Sequence, residues 1–176
     1  MTEDVVRTLG YATLGSRLKR IGEKLQAQTQ ALAAELAATD LPTPHNPVLA
    51  ALDRNGPLSI GELTRALGQS QPGVTRMIKQ MKADGLVEAH PSASDRRVST
   101  IALTEQGERL VAHLKATLWP AAALAVADAC DSLEGPLLDQ LDRLEDALGE
   151  KPLSARCSED GLPDWESVIR SRQPRT

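Results

Sequence analysis

Between Ser59 and Gly85 two short stretches of helical periodicity are separated by one tight turn, and two strand-like runs follow directly. Ser59 is a strong N-cap with Glu62 at the capping-box position, and Ile60, Leu63 and Leu67 supply one buried stripe. Gly68 ends that helix and Ser70 is placed to cap the next. Pro72 falls in its first turn, where a missing N–H costs nothing. Val74, Ile78 and Met81 mark its inner face, and Gly85 stops it. Such a pair is a helix-turn-helix. The runs Leu86 to His90 and Val98 to Leu103 then predict a two-stranded wing, with Pro91 to Arg97 as its charged tip.

The flanks are helical. Leu9, Leu14, Leu18, Ile21, Leu25, Leu32 and Leu36 recur at helical spacing and predict one long helix over residues 5 to 38. A short helix over Val48 to Arg54 is closed by Asn55-Gly56-Pro57. Thr104 caps a helix carrying Leu110, Leu114 and Leu118, which Pro120 should kink or interrupt. After a corner at Gly135-Pro136, Leu137, Leu141, Leu144 and Leu148 define a last helix, and residues 150–176 form a mixed-charge tail. The chain has no Phe, one Tyr and two Trp against 41% apolar residues, so its core must come from Leu, Ala, Val and Ile. That suits helix-on-helix packing. It argues against single-stranded nucleic acid, whose binding relies on aromatic stacking.

The formal charge of −4 divides unevenly. Residues 59–97 carry a net +2 and the remainder a net −6, so phosphates would repel the bulk and leave one basic face to dock. That face is the outer side of the second helix of the pair: Gln71, Thr75, Arg76, Lys79 and Gln80. Gln and Thr can read base edges, and Arg and Lys can take guanine or phosphate. Gly73 lets the backbone come close to a phosphate. On the wing, Asp95 lies two residues before Arg97 and can hold a guanidinium in a fixed direction for a narrow minor groove.

Cys130 and Cys157 have no metal-ligand spacing to His45, His90 or His113, so reduced thiols with no cofactor or metal are expected. The longest apolar run, Leu118 to Ala127, is ten residues and is expected to be too short to span a bilayer; no secretory signal opens the chain. A cytoplasmic protein with no membrane partner is expected.

From Leu14 to Leu148 the sequence resembles the MarR family of winged helix-turn-helix regulators. The carriers are Ser70 with Val74-Thr75-Arg76, Gly85-Leu86-Val87, Asp95-Arg96-Arg97, and Leu103-Thr104 with Gly107. The resemblance implies a mainly α protein with a small β wing, joined as a homodimer through N- and C-terminal helices. It divides the chain into an N-terminal dimerisation helix (1–42), a winged helix-turn-helix domain (43–104), C-terminal dimerisation helices (105–149) and a tail (150–176). It implies a transcriptional regulator of double-stranded, pseudo-palindromic DNA, a repressor released by a small-molecule effector. Ser70, Gln71, Gly73, Thr75, Arg76, Lys79 and Gln80 would form the major-groove surface, with Asp95, Arg96 and Arg97 on the wing and Arg97 in the minor groove. The sequence departs from the family at Ala89 and His90, where arginines are usual, and it has no peroxide-sensing Cys in the first helix. Leu14 to Arg20 and Pro152-Leu153 further resemble the regulator half of regulator/acetyltransferase fusions. Only 27 residues follow Gly149, so no enzyme activity is expected. The alternative is a winged helix that binds protein without DNA, which a neutral or apolar recognition face would mark. His45, His113 and Trp119, with Tyr11 and Cys130, could line an effector cavity; Trp119 could equally be a dimer or core anchor.

Overall fold

The computed structural model describes residues 2–91, 99–156 and 164–165. The wing tip with Asp95, Arg96 and Arg97, the second cysteine Cys157, and most of the tail lie outside these residues. The helices are α1 (Val5–Thr8), α2 (Leu14–Leu36), α3 (Asn46–Asn55), α4 (Ile60–Leu67), α5 (Gln71–Ala83), α6 (Glu105–Ala116), α7 (Leu118–Cys130) and α8 (Leu137–Glu150). The strands are β1 (Leu58–Ser59), β2 (Val87–Pro91) and β3 (Ser99–Leu103). The chain forms two compact units, residues 25–125 in one and residues 1–24 with 126–176 in the other.

The larger unit holds the winged helix. Leu49, Leu52, Leu63, Val74, Ile78, Met81, Val87, Ile101, Val111, Leu114 and Leu118 form one buried cluster without a single aromatic ring. Helices α3, α5 and α6 each donate buried residues three or four apart, so these stripes face inward. The capping box of α4 is complete: the Glu62 amide donates to Ser59 Oγ at 3.2 Å, and the Ser59 amide to Glu62 Oε2 at 2.7 Å. Gly68 closes α4 in the left-handed region at φ +59°, which turns the chain into α5. Ser70 has the extended backbone of an N-cap, but its hydroxyl makes no bond to the helix.

Three expectations are corrected. The wing is part of a three-stranded antiparallel sheet, order β1-β3-β2, because Leu58 and Ser59 pair with Ile101 and Thr100. A two-residue strand carries no alternation that a sequence could reveal. The N-terminal helix is not continuous from residue 5: Gly10 turns at φ +53°, and a 3-10 segment, Gly10–Thr13, separates α1 from α2. The break near Pro120 falls earlier, at Thr117 (φ −128°, ψ −78°). The proline ring clashes with the carbonyl four residues before it, here that of Ala116, so the helix ends ahead of it and Pro120 sits in the first turn of α7. Taken together, Glu105–Cys130 is long and apolar enough to cross a membrane by length and composition, which the ten-residue apolar run had understated. Its first half delivers Val111 and Leu114 to the core.

Gly107 shows why this fold needs glycine at one point. A Cβ there would be driven into the Leu86 carbonyl oxygen, which already accepts the Thr104 amide at 3.1 Å. Thr104 ties the junction: its hydroxyl donates to the Gly85 carbonyl at 2.6 Å and accepts the Gly107 amide at 3.0 Å. The end of α5, the end of β3 and the start of α6 are thereby locked together.

Candidate nucleic-acid interface

Helix α5 presents the polar face that the sequence predicts. Gln71, Thr75, Arg76, Lys79 and Gln80 are exposed, while Val74 and Met81 are fully buried and Ile78 nearly so. The buried stripe fixes the rotation of the helix, so the opposite side chains leave the surface as one row. Ser70 is exposed at the start of the helix, and Gly73 is half-buried with Ser70 Oγ beside it. Arg76 and Lys79 make no ion pair among the described residues. Two unneutralised cations on a rigid helix suit a polyanionic surface.

Two polar side chains on this row are already committed. Thr75 Oγ1 donates to the Gln71 carbonyl at 2.8 Å, and Gln80 Nε2 donates to Asp84 Oδ1 at 2.9 Å. Because a carboxylate only accepts, it is the amide nitrogen of Gln80 that turns toward Asp84. In the sequence Asp84 counts only toward the charge of residues 59–97; its i, i+4 spacing from Gln80 is the signal for this contact.

On β2 only Val87 is buried, and Glu88, Ala89, His90 and Pro91 face outward. His90 Nε2 lies 3.1 Å from Glu88 Oε1, two residues apart on one face of the strand. The described part of the wing therefore offers one histidine and one carboxylate, where the family pattern has arginines. The wing's expected basic residues, Arg96 and Arg97, lie outside the described residues.

Two of the three candidate effector residues, Trp119 and His113, have structural partners. Trp119 Nε1 donates to Asn46 Oδ1 at 2.8 Å, and His113 Nε2 lies 3.1 Å from the Ala37 carbonyl oxygen. His45 is buried and its Nδ1 meets no hydrogen-bond partner among the described residues. Burial pushes its pKa below the ordinary histidine value, partly opposed by the charge of Asp84. Two surface hollows occur in this unit, one of about 580 Å³ beside Asp53 and Lys115 and one of about 450 Å³ beside Asp40 and Asp84. Neither is lined by His45, His113 or Trp119.

Residues 39–98, which hold the helix pair, β1, β2 and the wing tip, match the family model described as MarR family. Over this segment, about a third of the chain, the sequence is similar to the MarR family. Solved MarR structures agree over most of the length. A MarR family transcriptional regulator from Silicibacter pomeroyi is 28% identical, with a TM-score of 0.54 over 79% of this chain and 87% of that one. The transcriptional repressor CouR, bound to a 23-mer DNA duplex, is 27% identical with a TM-score of 0.52, covering 78% of this chain and 90% of its own. A MepR-like protein complexed with pseudoligands is 26% identical with a TM-score of 0.59, covering 78% and 92%. The MarR architecture therefore extends beyond the matched segment to the flanking helices.

Proposed function

We propose that this chain is a MarR-family transcriptional regulator that binds a pseudo-palindromic DNA duplex as a homodimer in the cytoplasm, as a repressor released by a small molecule, without enzymatic activity. The observation that carries the reading is the outer row of α5, with exposed Gln71, Thr75, Arg76, Lys79 and Gln80 and no ion-pair partner for either cation among the described residues. A protein-docking helix would show an apolar or neutral face here. CouR, similar in sequence and fold, is a repressor bound to duplex DNA, which supports DNA binding by this chain.

In this reading Ser70, Gln71, Gly73, Thr75, Arg76, Lys79 and Gln80 meet the major groove, and Asp95, Arg96 and Arg97 belong to the wing contact. The helices within residues 1–42 and 105–149 form the dimer. His45, His113 and Trp119 are the effector-site candidates, in keeping with a related MepR-like protein that takes pseudoligands. Fluorescence anisotropy on genomic duplexes selected by the protein, against scrambled duplexes at several salt concentrations, tests the function. Saturable binding with preference for a pseudo-palindrome is expected. Equal affinity for selected and scrambled DNA, or no binding at low salt, overturns it.

A further inference from the structure

The smaller unit contains a cationic hollow that DNA recognition by α5 leaves unused. Gly10, at φ +53°, reverses the chain after α1, and Thr13 Oγ1 donates to the Val6 carbonyl at 2.8 Å, so the reversal is fixed. Asp4 then bridges the two helices. Its Oδ1 accepts Arg20 Nη1 of α2 at 2.9 Å, and its Oδ2 lies 3.7 Å from Arg7 Nε of α1. Arg17, Arg20 and Lys24 recur at helical spacing on one side of α2. Together with Arg7, Asp4 and Ile21 they line an open hollow of about 160 Å³.

The charge in this hollow is unbalanced. Four cations face one carboxylate, and Arg17 and Lys24 make no ion pair among the described residues. Like charges at three- and four-residue spacing destabilise a helix, so the cluster costs stability unless something offsets it. Lys19, on the same helix, is paired with Glu23 at 3.9 Å and does not contribute. The cavity is smaller than the roughly 300–1,000 Å³ typical of drug-sized ligands, yet it holds about five water volumes. Guanidinium forks match carboxylate and phosphate oxygens in pairs.

We propose that Arg7, Arg17, Arg20 and Lys24 form a binding site for a small multivalent oxyanion, a phosphate, pyrophosphate or compact di- or tricarboxylate. Asp4 pre-orients Arg20 and Arg7, while Arg17 and Lys24 supply the charge that the anion neutralises. A hollow suits a compact anion better than a DNA backbone, which needs a row of cations along an open surface.

Isothermal titration of the full chain, without DNA, tests the site with sodium phosphate, pyrophosphate and citrate at an ionic strength held constant with sodium chloride. Saturable binding of one anion per chain is expected. An Arg17→Gln/Lys24→Gln variant should bind at least tenfold more weakly, and a Lys19→Gln variant should bind like the parent. Circular dichroism confirms that both variants are folded. The ranking of phosphate, pyrophosphate and citrate then identifies the ligand class. Heats no larger than those of chloride overturn the proposal, as does equal binding by the double variant or loss of binding in Arg76→Ala/Lys79→Ala instead. DNA binding is measured separately, so failure here leaves the reading of α5 intact.

Discussion

Two residues carry disproportionate structural weight, and each gives a measurable outcome. Gly107 is packed so closely on the Leu86 carbonyl that any side chain must displace backbone. Gly107→Ala is expected to cost at least about 2 kcal/mol, a fall in Tm of roughly 4–8 °C for a chain of this size. Calorimetry showing an unchanged Tm would remove this junction from the account. His45 gives a pH dependence. Its folded pKa lies below the unfolded value of about 6.5, so the unfolded chain takes up the proton first as the pH falls. The contribution is present in full above about pH 6.5 and is lost as the pH drops from there through the lower folded value. Tm should therefore decline on acidification, and His45→Leu should flatten that decline, because it removes both the ionisable group and the unpartnered Nδ1. Equal slopes in the two proteins would place the acid sensitivity elsewhere.

At the scale of elements, α4 and α5 act as a rigid pair that presents one polar row. The capping box holds the start of α4, and Ser59→Ala should lower stability by about 1 kcal/mol in chemical denaturation while leaving DNA preference unchanged. The outer row should behave in the opposite way. Lys79→Ala is expected to keep the Tm and reduce the slope of log affinity against log salt by about one, or up to about two if both copies in a dimer contact phosphate. Arg76→Ala should relax sequence preference and leave most of that slope. Affinities of both variants on selected and scrambled duplexes decide between phosphate and base contact; unchanged slope and preference in both would falsify the placement of α5 in the groove.

For the molecule as a whole, the exposed apolar surface is the largest unexplained feature. Leu138 and Leu124 are 74% and 72% exposed, and Leu18, Ile21, Leu25, Leu141 and Leu148 also face solvent. Large apolar side chains left exposed on helices suit an interface. A homodimer would cover it, so sedimentation at micromolar concentration should give a dimer, and Leu18→Glu/Leu141→Glu should shift it to monomer and weaken DNA binding together. A parent that stays monomeric on DNA would sink the symmetric reading. Much of this was legible in the sequence, because caps, glycine stops and apolar stripes are local signals: Ser59 with Glu62, Gly68, Gly85, and the outward row Gln71 to Gln80 all stand where the spacing put them. What local signals do not encode is long-range pairing. Leu58 joined to Ile101, Gly107 pressed on Leu86, Gln80 held by Asp84 and Arg20 drawn to Asp4 all arose only once the chain had folded. Periodicity fixes which face of an element turns inward, whereas the partner that face meets is chosen by packing and by the need to satisfy each buried polar group.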